Sequence, residues 1–350
     1  MYGANRKLFI ITGIMNKTEK IQIILPDLKI YQQNLINDQT PFPLKTVPFS
    51  TNGLLTELPL PPKGKSGWPW TIETQPIKHP LNSIDFPKIS IVTPTYNQGD
   101  FIEETIRSVL LQNYPNLEYI IFDGGSTDQT QEILEKYSPW ISFCQSKNDR
   151  GQGHAINLGF SIASGNYYSW INSDDFYLPN CFEKVSNHFA KTKKDFIYGD
   201  SLILYENEKV LKYAQSFLVL ERYLRFGGII PSHAAFWSSS IHQPIWEELN
   251  CALDAELWLR LVPKHSIGHL QSPLAVARIQ PEAKSFNDKY KLLWEKDYQE
   301  KIWKAYDSIP FWKFRSFEFR YVQMIYKKFL RQMSKVNIKN LLLRDDLNIV

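Results

Sequence analysis

The sequence predicts an α/β fold, a mainly parallel, twisted sheet with helices on both faces. Three observations carry that expectation. Short β-branched and aromatic runs alternate with segments of helical spacing, the connections between them are short, and each strand runs into a polar cluster at its carboxyl end. Such alternation builds parallel sheets covered by helices. Ligands then collect beyond the carboxyl ends of the strands.

Ile89–Thr93 is the first strand, and Pro94–Asp100 is a turn rich in hydrogen-bonding groups. Phe101, Ile102, Ile106, Val109 and Leu110 then recur with helical spacing, and Asp100 three residues before Glu103 reads as a capping box. A second strand, Leu117–Phe122, ends in the run from Asp123 to Asp128, where Asp128 reads as the cap of the helix carrying Ile133, Leu134 and Tyr137. Asp149–Gly159 opens a further helix that stops before Gly165. The next strand, from Tyr167, delivers Asn172, Ser173, Asp174 and Asp175, and Pro179 opens another helix. Gly124, Gly125 and Gly151 read as turn residues that need positive φ.

Asp174 and Asp175 are the most informative residues, because an apolar strand leads straight into two adjacent carboxylates. Hard divalent cations take oxygen ligands, and an ion of the Mg²⁺ type uses only one or two protein carboxylates while leaving positions for phosphate oxygens. The pair therefore reads as a metal–diphosphate clamp or, from its own residues alone, equally as an N-cap and polar turn ahead of the helix that Pro179 opens.

Six segments in this order resemble the inverting family-2 glycosyltransferases of GT-A fold: Ile91–Gln98, Asp123–Asp128, Asp149–Gln152, Ala155–Gly159, Asn172–Asp175 and Asp254–Leu261. The resemblance spans about Ile89 to Arg278, more than half the chain. It implies a nucleotide-diphospho-sugar donor, a glycan or lipid-linked acceptor, and a divalent cation, Mn²⁺ or Mg²⁺. Pro94, Thr95, Tyr96 and Asn97 would line the nucleoside pocket, with Tyr96 stacking on the base. Asp123 would accept hydrogen bonds from base or ribose, and Arg150 would lie near the diphosphate. Asp175 would hold the metal, with Asp174 beside it. An envelope polysaccharide or another glycan is the implied product.

The second half supplies a general base. Leu253, Leu257 and Leu261 form a core stripe, Glu256 lies four residues before Arg260 in the order that favours a helix-surface ion pair, and Asp254 either matches the family's base or serves as an N-cap. Leu253 stands where many relatives carry an acidic residue. Asp254 and Glu256, two apart on a helix, point in different directions, which disfavours a facing-carboxylate hydrolase. His233, in the glycine-containing loop Phe226–Trp237, reads either as a contact to sugar or phosphate or as a structural histidine. Arg278 and Lys284 match a closing loop that often reads Arg-x-His-x-x-x-Lys, with Gln280 in the histidine's place, and Arg278 is implied to contact the diphosphate. The rival from another class is a catalytically silent nucleotide-sugar or glycan-binding protein.

The expected organisation is an extended, proline-punctuated arm over 1–87, a catalytic domain over 88–285 divided into a donor half (88–180) and an acceptor half (181–285), and a helical, basic, aromatic tail over 286–350. Trp68 and Trp70 read as anchors of the arm or as a platform for an acceptor sugar. Three cysteines without C-x-x-C spacing argue against a disulfide framework or a zinc site. A net charge of +4 is too mild for a nucleic-acid partner. No apolar run reaches the length of a membrane span, and Arg6–Thr12 is too brief for a signal peptide, so the expected location is cytoplasmic. Residues 310–344 carry nine basic residues against one acidic, interleaved with aromatics. They read equally as a peripheral contact with the inner face of the membrane or as a helix packed on the domain.

Overall fold

A computed structural model describes residues 20–77, 86–206, 210–214, 230–280 and 287–306, together with 216, 219, 224, 284, 321, 322, 324 and 325. The expected loop residues Phe226–Ile229, the segment Arg6–Thr12 and most of 310–344 lie outside the described residues.

The sheet region starts with β1 (Ile89–Thr95), α2 (Ile102–Leu110), β2 (Leu117–Asp123), α3 (Thr130–Tyr137), β3 (Phe143–Ser146), α4 (Gln152–Ile162) and β4 (Tyr167–Trp170); α1 (Leu28–Asn37) precedes it. It continues through β5 (Phe176–Tyr177), α5 (Cys181–Thr192), β6 (Phe196–Tyr205), β7 (Val210–Ala214), β8 (Ala235–Ser238), α6 (Leu253–Leu261) and β9 (Ile267–Ile279). The strands form one sheet in the order β3-β2-β1-β4-β8-β6-β9-β5, with β7 on β6. The pairs β1–β2, β1–β4 and β2–β3 are parallel, whereas β8 runs antiparallel to both β4 and β6. This is the largely parallel α/β sheet that the alternation predicts.

Every residue of β1 and β2 is buried, as expected of strands covered on both faces. Their side chains divide by parity. Ile89, Ile91, Tyr119 and Ile121 enter the core with α2, α3 and α5, while Val92, Ile120 and Phe122 enter the opposite core with α4 and α6. α4 approaches closely at Gly159, where a Cβ would lie 2.4 Å from Val92. Because β2 and β4 flank β1 on opposite sides, the chain reverses its winding there, and in open α/β sheets a crevice forms at that point.

Local chemistry departs from expectation at the start of α2. The capping box before α2 does not form: Phe101 occupies the N-cap without a side-chain bond, and Glu103 instead accepts from Lys136 and Tyr137, both at 2.8 Å. The loop is held by α3, through Asp128 accepting from Gly99 N–H at 2.8 Å and Thr130 Oγ1 accepting from Gln98 N–H at 2.9 Å. Gly125 (φ 84°) and Gly151 (φ 107°) do take positive φ, the second as N-cap of α4, whereas Gly124 does not.

The N-terminal arm is not wholly extended. Asp27 caps α1 by accepting from Lys29 N–H at 2.9 Å, and α1 packs on α4. Trp68 is 1% exposed and donates from its indole to Tyr177 O at 2.8 Å, and Trp70 is also buried; neither is a sugar platform. The fully buried Arg107 of α2 donates to the carbonyls of Pro59, Pro69 and Trp70 at 2.8–3.0 Å and to Tyr137 Oη at 2.9 Å. Arg107→Leu should therefore strand several buried acceptors and cost about 3 kcal/mol or more of stability. The check is the denaturant midpoint, and a loss near zero would mean that the arm does not depend on this residue.

After β9 the chain continues through α7 (Lys291–Lys296), a π-helical turn over Asp297–Ile302 and α8 (Trp303–Tyr306). Ile302 and Ala305 belong to the core beside α6. The expected tail thus begins as part of the domain, because its first apolar residues fill the face that α6 leaves open.

Candidate active site

A cavity of about 880 Å³ opens beyond the carboxyl ends of β1, β2 and β4 and extends to α6 and α7. Parallel register aligns Pro94 with Phe122 and Thr95 with Asp123, so the loops after β1 and β2 leave the sheet side by side. Pro94, Thr95 and Tyr96 line the cavity. Tyr96 stands at its rim, 60% exposed. Thr95 Oγ1 and Gln98 Oε1 are buried without a hydrogen-bond partner, and both residues line the cavity. An orphaned buried oxygen carries a desolvation cost that a ligand's N–H or O–H would remove.

Asn97, Asp123 and Arg150 are not among the lining residues. Asn97 (φ 50°) braces its loop, donating N–H to Ser126 Oγ at 2.7 Å and accepting from Thr127 N–H at 2.9 Å. Asp123, 2% exposed, accepts from Ser126 N–H at 3.0 Å and from the hydroxyls of Ser126 and Ser146 at 2.5 Å. Gly124, Asn148 and Asp149 reach the cavity in its stead. Burial raises the Asp149 carboxyl above its usual range. Arg150 pairs with Glu247 at 2.7 Å and with Tyr31 of α1 at 2.5 Å. That partnership could not be foreseen, since Tyr31 and Glu247 lie far from Arg150 in sequence.

The turn between β4 and β5 brings Asp174 and Asp175 to the middle of the cavity. Asp175 is 6% exposed. Its Oδ1 accepts from Arg278 N–H at 2.9 Å, and His233 Nδ1 lies 3.9 Å from its Oδ2. Burial pushes Asp175 well above the ordinary carboxylate range, with the charge of Asp174 adding to it; Asp174 is raised as well, again by burial. Gln280, which replaces the expected histidine, donates to Asp174 Oδ2 at 3.1 Å. A hard dication fits this pair, because it would neutralise two crowded, buried carboxylates.

His233 lines the cavity, 7% exposed, with Nε2 2.9 Å from Ser201 Oγ. Burial lowers its pKa to about 4, so the ring is neutral at pH 7. Arg278 also lines the cavity, but its guanidinium is occupied by Glu104 at 2.6 Å, by Glu206 and by Asp174 O at 3.0 Å. It braces the aspartate turn. Lys284 is the cation that sequence reasoning underweighted. It borders the cavity and donates to two neutral oxygens among the described residues, Gln152 Oε1 at 3.0 Å and Asn250 O at 3.1 Å, and burial lowers its pKa. Its place at the end of the Arg-x-Gln-x-x-x-Lys run was the available signal.

Asp254 is the second residue of α6, with Ala252 at the N-cap, so it does not cap the helix. It lines the cavity, half-buried, and its Oδ1 accepts from Ala255 N–H at 2.8 Å. The segment before it is tied down from the C-terminal side: fully buried Asp297 accepts from the N–H groups of Asn250, Cys251 and Ala252 at 2.7, 2.7 and 3.3 Å. Glu256 does pair with Arg260 at 2.8 Å, but the pair is buried rather than on the helix surface, because Tyr306 of α8 covers it and donates to Glu256 at 2.6 Å.

Residues 90–243 match the family model described as glycosyl transferase family 2. An uncharacterized glycosyltransferase of Rickettsia bellii is 36% identical over 139 residues, which cover 39% of this chain and 20% of that protein. The match therefore spans about a fifth of that relative's length. An Escherichia coli UDP-Glc:alpha-D-GlcNAc-diphosphoundecaprenol beta-1,3-glucosyltransferase is 38% identical over 111 residues, covering 31% of this chain and 43% of that protein. The crystal structure of S. aureus TarS 1-349 in complex with UDP-GlcNAc is 19% identical, with a TM-score of 0.49 over 63% of this chain and 71% of that one. Residues 90–243 of this chain, which carry the strand-end motifs of the sheet, are thus similar to glycosyl transferase family 2.

Proposed function

We propose that the protein transfers a sugar from a nucleotide-diphosphate donor to an acceptor hydroxyl with inversion, in the synthesis of an envelope polysaccharide or related glycan. The observation that carries this reading is the shared cavity. Orphaned Thr95 Oγ1, the Asp174–Asp175 pair and Asp254 all border it. The family match and the relative that uses UDP-glucose support the same class of donor.

The base would stack on Tyr96 at the rim, while Thr95 and Asp149 offer hydrogen-bonding groups to the nucleoside. Asp175, with Asp174, would hold Mn²⁺ or Mg²⁺, which when bound acts as a Lewis acid toward a diphosphate leaving group. Lys284 supplies positive charge from the protein, and neutral His233 can donate or accept one hydrogen bond to sugar or phosphate. The Asp254 carboxylate takes the proton from the acceptor hydroxyl as its oxygen bonds to the anomeric carbon. The bond from that carbon to the diphosphate breaks with its electron pair, on the face opposite the attack.

No helix among the described residues is long and apolar enough to cross a membrane. We assign the enzyme to the cytoplasmic face, acting on a glycan or lipid-linked acceptor and touching the membrane peripherally through its basic, aromatic C-terminal segment. Exposed Tyr321, Met324 and Ile325 support that contact.

The test is a thermal-shift panel of nucleotide sugars with and without Mn²⁺, followed by an assay for free nucleotide. A Mn²⁺-dependent shift with nucleotide release is expected; no shift with any donor would overturn the reading. Tyr96→Ala should weaken nucleoside and nucleoside diphosphate by the same factor, since loss of base stacking costs about 1–3 kcal/mol whatever the phosphate. Titration calorimetry with both ligands checks it, and an effect confined to the diphosphate would remove the base from Tyr96.

A further inference from the structure

The cavity does not end at Asp254. Tyr290 and Trp294, which come from the segment beyond β9, also line it. Trp294 is a half-buried residue held in place on two sides. Its indole N–H donates to Lys284 O at 3.0 Å, and the Tyr298 ring lies nearly parallel to it, at 14° and 6.2 Å between centroids. Lys284 in turn donates to Asn250 O, and Asn250 N–H donates to Asp297. A continuous chain of hydrogen bonds therefore joins Trp294 to the segment that leads into Asp254. Tied in this way to the approach to Asp254 and lining the same cavity, the aromatic pair is assigned to the acceptor side of the proposed reaction.

We infer that Tyr290 and Trp294 form a binding subsite for a pyranose ring of the acceptor, the sugar whose hydroxyl Asp254 deprotonates. The inference rests on the transferase reading above. A pyranose presents a face of C–H groups that carry partial positive charge, and the face of an indole is electron-rich. Stacking there excludes water from one side of the sugar and fixes its rotation. A hydroxyl on the ring edge can then be held in line with the base, where orientation counts for much of the rate. The site is also built to stay in place. The indole edge is committed to the backbone, and Asp297 ties the start of α6 to the same C-terminal segment.

Saturation-transfer NMR on the full chain, with UDP and Mn²⁺ present, tests this against the methyl glycosides of glucose, galactose and N-acetylglucosamine. Wild type should saturate the ring protons of at least one glycoside. Trp294→Ala should weaken that glycoside about 5-fold or more while Trp294→Phe keeps most of the binding, as expected for loss and retention of an aromatic face. UDP affinity should not change in either variant. Tyr290→Ala should show the same pattern and serves as the test if Trp294→Ala does not fold. Glycoside binding that is equal in wild type and variants, or absent from a wild type that binds UDP, overturns the subsite alone. A parallel loss of UDP would move Trp294 to the donor side and likewise overturn it. A wild type that binds neither UDP nor any nucleotide sugar would overturn the transferase reading itself.

Discussion

Asp254→Asn should retain donor and metal affinity and lose about 10²–10⁴-fold in turnover, the contribution typical of a general base. Asparagine is close in size and cannot take the acceptor proton. It keeps an oxygen that can accept from Ala255 N–H, the bond Asp254 makes at 2.8 Å. Because Ala252 holds the N-cap of α6 and Asp297 satisfies the N–H groups ahead of it, the helix start does not depend on Asp254. The melting temperature should stay near that of wild type, apart from a few tenths of a kcal/mol from the helix dipole. Transfer rate, donor affinity and melting temperature measured on this one variant decide the matter. Near-normal turnover would move the base to another cavity residue. Glu256 is excluded from that role, being sealed by Arg260 and Tyr306.

Asp175→Asn is expected to abolish metal-stimulated donor binding and to leave the fold at least as stable. Loss of a residue that merely supports a ligand costs about 10–100-fold in metal affinity, so loss of a ligand itself should reach or pass the upper end. The stability forecast follows from the environment. Burial and the neighbouring Asp174 hold the Asp175 pKa well above its ordinary value. A carboxylate whose folded pKa is raised destabilises the fold at any pH above its unfolded value, so at pH 7 its replacement by a neutral amide removes a cost. The amide oxygen can still accept from Arg278 N–H. Titration of UDP with and without Mn²⁺, alongside thermal unfolding, provides the check. Equal Mn²⁺ stimulation in variant and wild type would remove the metal from Asp175.

Part of the cavity's lining was legible in the sequence because the relevant signals are local. Alternation of β-branched runs with helical spacing is a property of neighbouring residues, and a polar cluster at a strand end marks the place where the backbone leaves the sheet. Pro94–Tyr96, Asp174, Asp175 and Asp254 could all be named from such local context, and all border one cavity. The burial of Asp175 is not a local property, since it depends on Arg278 and His233, about a hundred and about sixty residues away.

Only the tertiary structure decided how each charge is used. In the sequence, Arg150, Arg278 and Lys284 are equivalent cations. In the fold Arg150 pairs with Glu247 and Tyr31, Arg278 is held between Glu104 and Glu206, and Lys284 donates to the neutral oxygens of Gln152 and Asn250 at the cavity wall. Likewise Asp123 serves the serines of its own and the neighbouring loop, and Asp297, in a segment that reads as tail, fixes the approach to Asp254. The physical reason is range. Hydrophobic periodicity and turn chemistry act over a few residues and survive in the linear text, whereas the partner of a buried charge is chosen by whichever distant segment can satisfy it, and that is set only when the layers close around the sheet.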